Sequence, residues 1–395
     1  MNDATSVSLS PPDLSDRVCR QFEILYRRRP VLLASAPGRV NVIGEHVDYN
    51  GGWVLPAAID RRLVMAVAPR NGDRVRLATA DFEGVLEFGR EDLAPGRAKD
   101  WSRYVRGVIA GLAQAGHVVP GFDACVASSI PVGGGLSSSA ALEAATGLAG
   151  LALAGADMKR FELAKLCQQA EHTYAGVPCG IMDQAAVLCC ERGHLLLLDC
   201  EAETFVQTPL ASSEWSLLII NSGVAHELAS GEYARRREAC EQAARRLRVP
   251  SLRHIAASEL DTALAFPGLT EEMRRCVRHV VSENVRTLSC VEALRQGDFR
   301  RAGQLLNASH ASLRDDYRVS CAELDFIAET AQCEEAVAGC RMTGGGFGGS
   351  CVALVRGVEA EAVMRRVSDA FHARFGHRPA AFVTPAAPGA QLVCL

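Results

Sequence analysis

Three separated stretches of this sequence concentrate side chains that can do chemistry. The first, PGRVNVIGEHVDYNGG, begins at residue 37 and places four polar side chains among glycines and short aliphatic residues: Arg39, Glu45, His46 and Asp48. A cluster this dense, close behind the apolar run VLLASA, fits a satisfied turn, a metal site or one wall of a substrate pocket. The spacing disfavours zinc, because His46 lies in no H-x-x-x-H or H-E-x-x-H pattern.

The second stretch, IPVGGGLSSSAA at residues 130–141, joins a predicted strand to a predicted helix through three glycines and three serines. Glycines let backbone N–H groups approach an anion, and a helix N-terminus adds its dipole and unpaired donors. The segment therefore predicts a phosphate-binding loop, and the alternative is a glycine-rich turn with a serine N-cap. It is not a Walker A loop, since no lysine follows the glycines, and the lysine and H-R-D motifs of protein kinases are absent from the sequence.

The third stretch, QQAEHTYAGVPCGIMDQ, contains two carboxylates, Glu171 and Asp183. Asp183 begins a short helical segment, where it can cap the helix or stay ionised beside a substrate hydroxyl, and the sequence favours neither. A glutamate on a helix face, such as Glu171, is by itself more often solvated than functional.

A further glycine-rich run, GGGFGG at residues 344–349, matches the G-x-G-x-x-G pattern of dinucleotide-binding folds. That pattern must follow a strand and open a helix. Here the preceding segment is predicted to be helical and the strand SCVALVR follows, so the context excludes a dinucleotide site. The glycines still indicate a backbone that passes close to a ligand or to another loop.

The elements that must position these stretches are strands and helices in alternation. Apolar runs predict strands at residues 31–36, 61–69 and 74–79 and in FDACVASSIP, and a helical period runs from Trp101. Charged, Arg/Glu-rich helical patterns dominate the chain after residue 230.

The length of 395 residues exceeds what one hydrophobic core usually fills, so the sequence predicts two domains. The change in composition places them at residues 1–205 and 206–395. The first fifteen or so residues are polar and rich in proline and serine, which predicts a frayed tail.

Bulk composition excludes several classes of partner. A net charge of −4 gives no footprint for nucleic acid or for an anionic membrane. The fifteen cysteines are odd in number and form no C-x-x-C pair, which predicts reduced thiols. With no signal-peptide core and no run of about eighteen apolar residues, we expect a cytoplasmic protein.

Together, PGRVNVIGEHVDYNGG, PVGGGLSSSAALE and RMTGGGFGGS resemble the three signature motifs of the sugar- and metabolite-kinase superfamily, which includes galactokinases, mevalonate kinases and homoserine kinases. Within it, the first motif is similar to the galactokinase signature G-R-V-N-x-I-G-E-H-x-D-Y-N. CGIMDQ, NSGVAHELASGEYARRR and SHASLRDDYRVSCAELD also resemble galactokinase segments. The resemblance covers the chain from about residue 17 to its end.

The resemblance implies an α+β protein of two domains with the active site in the cleft between them. The N-terminal domain would be of the ribosomal S5 domain 2-like type with a left-handed β-α-β unit, and the C-terminal domain would be ferredoxin-like. The implied activity is transfer of phosphate from ATP, with Mg²⁺, to the anomeric hydroxyl of α-D-galactose, giving galactose 1-phosphate. The implied protein is a monomer or a weak homodimer.

The resemblance also implies a role for each motif residue. Asp183 would be the catalytic carboxylate and Arg39 the cation beside the transferring phosphoryl group. Magnesium would be held by Ser139 and Glu171, and Trp101 would help to line the adenine pocket. The residues that wrap the ATP phosphates would be Gly133, Gly134, Gly135, Leu136, Ser137, Ser138 and Ser139. Those that hold the sugar would be Arg39, Glu45, His46, Asp48, Gly180, Asp183 and Tyr233.

Two positions depart from the galactokinase pattern. Val47 stands where threonine is common, and we expect its side chain to point away from the sugar in an extended stretch. Ser350 replaces a common cysteine, and we expect little effect.

Three questions stay open at the level of sequence. Val47 leaves room for an N-acetylgalactosamine kinase, which often has an aliphatic residue there. A catalytically inactive galactose-sensing regulator is disfavoured, because GLSSSAA is complete and both Asp183 and Arg39 are present. Whether Asp183 removes the hydroxyl proton or only orients it is undecided.

Overall fold

The computed structural model describes residues 12–131, 134–210, 214–225 and 229–395. The strands, in chain order, are β1 (Leu32–Asn41), β2 (Trp53–Val54), β3 (Pro56–Pro69), β4 (Val75–Thr79), β5 (Val85–Phe88), β6 (Phe122–Ser128), β7 (His194–Asp199), β8 (Thr204–Pro209), β9 (Trp215–Ala225), β10 (Val337–Thr343), β11 (Gly348–Arg356), β12 (Ala380–Thr384) and β13 (Gln391–Cys394).

The helices are α1 (Pro12–Tyr26), α2 (Ser102–Gln114), α3 (Ser138–Leu153), α4 (Arg160–Ala170), α5 (Met182–Cys189), α6 (Ala229–Leu247), α7 (Leu260–Leu264), α8 (Glu271–Arg295), α9 (Phe299–Ser312), α10 (Ala322–Gln332) and α11 (Ala360–Phe375). Single π-helical turns extend α4 and α9, at Glu171–Ala175 and Leu313–Tyr317.

A six-stranded sheet in the order β13-β1-β3-β6-β4-β5 is packed on both faces. Its neighbouring strands are antiparallel except for the parallel pair β4 and β6. Because side chains alternate along a strand, β3 supplies two cores. Its main-core residues are Leu63, Met65 and Val67, and its residues in the smaller cluster with α1 are Val64, Ala66 and Ala68.

Helix α3 packs against the same sheet, in contact with β1 and β3. Its segment AALEAATGLAG is buried almost throughout, because alanine and glycine let its backbone approach the strands closely. The sheet therefore holds the first turn of α3, which follows the predicted phosphate loop, at a fixed height above β1.

The rest of the chain forms a four-stranded antiparallel sheet, β10-β11-β9-β12, and a three-stranded sheet, β2-β7-β8. Helices α9 and α10 pack on β10, and α8 packs on α9. The final strand, β13, returns to the first sheet and pairs with β1, with Leu33 opposite Val393. The division predicted near residue 205 falls within β8 and stays a prediction.

Most predicted strands and helices are confirmed, and two local predictions need correction. The segment before GGGFGG is strand β10 rather than a helix, because it pairs along its length with β11. The glycine run is thus the turn of a hairpin, and no helix follows it, so the dinucleotide pattern is still excluded. Of the predicted frayed tail, residues 1–11 lie outside the described residues, and α1 already begins at Pro12.

No helix in the described part of the chain is both long enough and apolar enough to cross a bilayer. All fifteen cysteines lie in that part, and each carries a free thiol, as predicted.

Arg62 ties the C-terminal segment to the first sheet. Its buried guanidinium donates to Ser35 Oγ (2.7 Å), Pro388 O (3.0 Å) and Gly389 O (3.0 Å). Burial lowers the pKa of Arg62 to about 10, because the charged guanidinium is removed from water.

We predict that Arg62→Met lowers the free energy of unfolding by about 2–3 kcal/mol, because the buried and half-buried acceptors of Ser35, Pro388 and Gly389 lose their donor. Urea denaturation followed by circular dichroism measures the change. The exposed Arg20→Met on α1 is the matched control, and it should stay within about 0.5 kcal/mol of wild type. Equal stability of both variants would show that Arg62 does not hold the C-terminal segment.

Candidate active site

Three joined cavities form one cleft. The inner cavity, about 260 Å³, is lined by Arg39, Glu45, His46, Asp48, Glu171, Val177, Cys179, Gly180, Met182, Asp183, Tyr233, Gly344 and Gly345. The loop cavity, about 280 Å³, is lined by Arg39, Pro131, Gly134, Gly135, Leu136, Ser137, Ser138, Ser139, Asp183, Gly344 and Gly345. The aromatic cavity, about 260 Å³, is lined by Leu63, Thr79, Phe82, Trp101, Tyr104, Val126, Ser128, Ser138, Ser139 and Leu142.

The residues shared between cavities fix their order. Arg39 and Asp183 line both the inner and the loop cavity, whereas Ser138 and Ser139 line both the loop and the aromatic cavity. The loop cavity therefore lies in the middle, and the Arg39–Asp183 pair lies at its junction with the inner cavity.

Arg39 and Asp183 form a two-pronged ion pair. Arg39 Nε donates to Asp183 Oδ1 at 2.8 Å, and Nη2 donates to Oδ2 at 2.9 Å. Planar, bidentate pairing of this kind is the strong form of an arginine–carboxylate contact. Asp183 lies in the first turn of α5, but its carboxylate bonds to other segments, so capping is not what its side chain does here.

A β-bulge aims Arg39 at this junction. The register between β1 and β3 shifts between Pro37 and Arg39. The extra residues lie on β3, where residues 59–61 oppose Gly38 alone. A Cβ on Gly38 would lie 2.8 Å from Leu136 O, so only glycine lets strand β1 approach the loop this closely. The Arg39 N–H then donates to Leu136 O at 3.1 Å.

The carbonyl groups of the predicted phosphate loop accept hydrogen bonds from side chains of other segments. Gly134 O accepts from Ser350 Oγ (2.8 Å), and Gly135 O accepts from Arg39 Nη1 (2.5 Å). Among the described residues, the N–H groups of residues 134–136 have no backbone acceptor. The loop can therefore present N–H groups to an anion. Gly133 lies outside the described residues.

Ser137 joins this loop to the ion pair. It precedes α3 with φ +60° and makes no side-chain cap bond; its hydroxyl donates to Asp183 Oδ2 at 2.5 Å instead. The alternative of a plain serine N-cap therefore fails for Ser137. Both oxygens of Asp183 are held, one by Arg39 alone and the other by Arg39 and Ser137.

Acidic side chains with few cations surround this junction. Burial, and then the Asp183 carboxylate, raise the pKa of Glu171. The Ser139 hydroxyl and Gln184 Nε2 (2.6 Å) both donate to Glu171. Gln184 also donates to the fully buried Glu143 at 3.1 Å, and burial followed by Glu171 raises the pKa of Glu143 well above its usual range.

This environment fits a divalent cation that arrives with a phosphate. Among the described residues, no three histidine, cysteine, aspartate or glutamate side chains form a metal cluster. Magnesium, however, usually takes only one or two carboxylates and completes its shell with waters and phosphate oxygens. Glu171 and Ser139, which are hydrogen-bonded to each other, could supply such a small set of ligands.

Asp48 is a carboxylate of the inner cavity with a raised pKa. Burial, and then the neighbouring Asp183 and Glu45 charges, raise its pKa to about 7. The backbone at Gly180 passes so close that an added Cβ would lie 2.0 Å from Asp48 Oδ2, so a larger residue there would displace the Asp48 carboxylate. Tyr233, on α6, closes the cavity, and its ring lies 5.6 Å from that of His46.

Glu45 is held by a residue that the sequence did not suggest. Arg341 Nη2, on β10, donates to Glu45 Oε2 at 2.6 Å, and both side chains are almost fully buried. Glu45 Oε1 has no hydrogen-bond partner recorded in the described residues. One carboxylate oxygen is therefore anchored while the other remains able to accept from a ligand.

His46 is neutral and fully engaged. Burial, and then His279, lower its pKa to about 3. Gly345 O can only accept, so His46 Nε2 (3.2 Å) carries the proton and Nδ1 accepts from Tyr49 Oη at 2.9 Å. A ligand hydroxyl at this histidine must share or replace the contact with Gly345.

The two departures from the expected pattern have clear positions. Val47 is fully buried and does not line the inner cavity, as predicted, but its backbone is helical (φ −109°, ψ −11°) rather than extended. Ser350, for which we expected little effect, donates to the loop at Gly134. That bond links β11 to the phosphate loop.

The cleft brings the sequence-predicted residues together in three groups. Around the inner cavity lie Arg39, Glu45, His46, Asp48, Glu171, Gly180, Asp183 and Tyr233. Residues 134–139 border the loop cavity, and Trp101 borders the aromatic one. Sequence reasoning missed Arg341, Tyr49, Phe82, Tyr104 and the backbone of Gly344 and Gly345; for the two glycines, the GGGFGG run was the available signal.

A phosphate-type loop at a helix N-terminus, joined through an acid–arginine pair to a polar inner cavity, defines a small-molecule kinase. The galactokinase galactose-binding signature matches residues 20–69, and the N-terminal and C-terminal domains of the GHMP kinases match residues 103–191 and 290–373. The chain belongs to the galactokinase family. The predicted resemblance and the two-domain α+β fold are confirmed, and the family uses ATP.

Individual relatives agree over nearly the whole chain. A galactokinase of Streptomyces coelicolor is 45% identical over 95% of this chain and 97% of its own. A galactokinase of Homo sapiens is 44% identical over 95% and 96%. The crystal structure of Lactococcus lactis galactokinase complexed with galactose aligns with a TM-score of 0.91 at 34% identity, over 94% of this chain and 98% of that one.

Asp48 makes the stability of the unliganded protein depend on pH. Its pKa is about 7 in the native state against 3.8 for an ordinary aspartate, so between these values the native state binds a proton that the unfolded state lacks. The Asp48 contribution to stability is therefore present at low pH and is lost as pH rises through about 7.

We predict that Asp48→Asn, which cannot ionise, gains stability relative to wild type as pH rises from about 4 to about 7. Urea denaturation of both proteins at several pH values measures the difference. The exposed Asp261→Asn is the control, with a difference from wild type that stays constant. A constant difference for Asp48→Asn would contradict the raised pKa.

Proposed function

We propose that the protein transfers the γ-phosphoryl group of ATP to the anomeric hydroxyl of α-D-galactose, giving galactose 1-phosphate. The observation that carries this proposal is the position of the Arg39–Asp183 pair between the inner cavity and the loop cavity. A sugar in the first and phosphates in the second would meet at this pair.

Phosphoryl transfer requires positive charge at this junction rather than a covalent intermediate with the protein. The phosphoryl transition state spreads negative charge over its oxygens, so positioned cations and N–H donors stabilise it. We assign Arg39 to the transferring group and residues 133–139 to the ATP phosphates. Trp101, with Phe82 and Tyr104, would line the adenine pocket.

Asp183 would accept the hydrogen bond of the anomeric hydroxyl. Both of its oxygens already accept hydrogen bonds from Arg39 or Ser137, which fix the carboxylate in place. In a loose transition state the hydroxyl proton leaves late. Asp183 therefore orients the nucleophile first and takes its proton only as the new P–O bond forms.

Ser139 and Glu171 would hold Mg²⁺. When bound, the ion neutralises phosphate charge during transfer. Burial of Glu171 beside Asp183, with a raised pKa, supports this assignment, since a cation there would relieve the repulsion between the two carboxylates.

The sugar would be held by Glu45, His46, Asp48, Gly180 and Tyr233 around the inner cavity. Several fixed donors and acceptors are what epimer selection needs, because the wrong epimer leaves buried groups unpaired. Glu45 Oε1 and the Asp48 carboxylate supply acceptors for sugar hydroxyls. The buried Val47 keeps out of this cavity, so it gives no direct support to the alternative N-acetylgalactosamine kinase.

We further propose a cytoplasmic protein that acts as a monomer or weak homodimer on small-molecule substrates. Free thiols at all fifteen cysteines support a reducing compartment.

A coupled assay of ADP release across galactose, N-acetylgalactosamine and glucose tests the activity. We expect the highest kcat/KM with galactose. A preference for the acetylated sugar would replace the proposal with its closest alternative. Galactose binding with no turnover of any sugar would favour the sensing regulator instead.

We predict that Asp183→Asn lowers kcat by about 10²–10⁴-fold, because the amide neither pairs with Arg39 in two prongs nor takes the proton. Isothermal titration should still detect galactose, with Kd changed by less than about tenfold. The exposed Asp157→Asn should keep wild-type kcat. Normal turnover of Asp183→Asn would remove Asp183 from the mechanism.

A further inference from the structure

Two side chains of helix α8 hydrogen-bond to the backbone on both sides of Glu45, in the sugar-signature stretch. Glu283 Oε1 accepts from the N–H groups of Gly44 (3.0 Å) and Glu45 (3.3 Å). His279 Nε2 lies 3.0 Å from Glu45 O. A carbonyl oxygen only accepts, so His279 carries its proton on Nε2 and donates. The peptide groups before and after the Glu45 Cα are thus both tied to α8.

The backbone around Glu45 needs such support. Gly44 has φ +92° and His46 has φ +59°, so the chain enters the left-handed region on both sides of Glu45. A histidine rarely adopts that conformation, and residues held in it persist only when their surroundings over-determine them. Together these two turns point the Glu45 and His46 side chains into the inner cavity.

The two gripping side chains are themselves rigidly held. They lie four residues apart on one face of α8, and both are fully buried. Glu283 also accepts from Ser309 Oγ (2.6 Å) and Arg286 Nε (2.7 Å). Although burial opposes ionisation, Arg286 and then His279 lower the pKa of Glu283 to about 2.

His279 has an equally fixed setting. Its Nδ1 lies 3.0 Å from Ser312 Oγ, and its ring lies 4.5 Å from the ring of Tyr317. Burial first lowers its pKa to about 4, so it stays neutral and keeps one defined donor. Neither residue lines any of the three cavities, so neither reaches a substrate.

We propose that His279 and Glu283 are positioning residues for sugar selection, which fix the Glu45 peptide so that Glu45 and His46 meet the sugar in one geometry. The proposal rests on the proposed function and assigns part of its specificity to a helix outside the cleft.

The test compares variants that keep or remove each bond. Glu283→Met fills the space but accepts nothing, whereas Glu283→Gln keeps a carbonyl oxygen for the loop N–H groups. His279→Phe keeps a ring against Tyr317 and loses the donor. The buried Val291→Ala, on the same helix, is the stability control, because it opens a small cavity without touching the loop.

We expect Glu283→Met and His279→Phe to raise the galactose KM by about tenfold or more while the ATP KM changes less than about twofold. Their preference for galactose over glucose should fall as well. Glu283→Gln should show a smaller rise, and Val291→Ala a lower melting temperature with unchanged galactose KM. Titration of galactose alone should show the same order in Kd.

Two results would overturn the proposal. One is a galactose KM in the variants equal to that of Val291→Ala. The other is a parallel rise of the galactose and ATP KM values, which would indicate general loss of structure. His279→Phe keeps the ring and loses only the bonds to Glu45 O and Ser312 Oγ, so it carries the test if Glu283→Met does not fold. Failure of the wild type to phosphorylate galactose would instead refute the proposed function.

Discussion

The bidentate ion pair between Arg39 and Asp183 is the contact on which the rest of the cleft depends. It joins a strand of the first sheet to the N-terminus of α5, and Ser137 adds the start of α3. Bidentate geometry tolerates little displacement of either partner. The close approach at Gly38, the buried alanine-rich α3 and the short α5 are therefore all constrained by one pair of side chains.

The second half of the chain completes this arrangement through single, well-buried contacts. Ser350 holds the Gly134 carbonyl, Arg341 holds Glu45, and Glu283 holds the turn before it. Each places a polar group of the C-terminal half against the backbone or side chain of a motif residue. A buried polar group that loses its partner cannot hydrogen-bond to water instead. Each contact therefore also contributes to the alignment of the two halves.

The site residues that could be predicted from the sequence are those that lie together in short motifs. Residue type and spacing alone predict a functional site in three segments: the glycine–serine loop, the Asp183 segment and the GEHVDYN stretch. The partners Arg341, His279 and Glu283 could not be predicted in this way, since they lie more than 230 residues away from Glu45 in a chain whose pairing only the fold reveals. A polar pair four residues apart on the buried face of α8 was the one available signal.

The wrong helix before GGGFGG has a physical explanation of the same kind. The segment EEAVAGCRMT has no strict alternation, because both faces of β10 are covered, one of them by α9 and α10. A short apolar run buried on both sides gives no period by which strand and helix differ. Pairing with β11 then decides the conformation, and pairing is not visible in a single sequence.

Several carboxylates in and beside the cleft lie where their ionised form is disfavoured. Asp48, Glu143 and Glu171 all have raised pKa values, because burial and then a neighbouring carboxylate disfavour the ionised form of each. Ordinary surface positions would avoid that cost, so the concentration of these carboxylates in and beside the cleft supports the proposed magnesium site. In the proposed complex, Mg²⁺ beside Glu171 would relieve the repulsion between that carboxylate and Asp183.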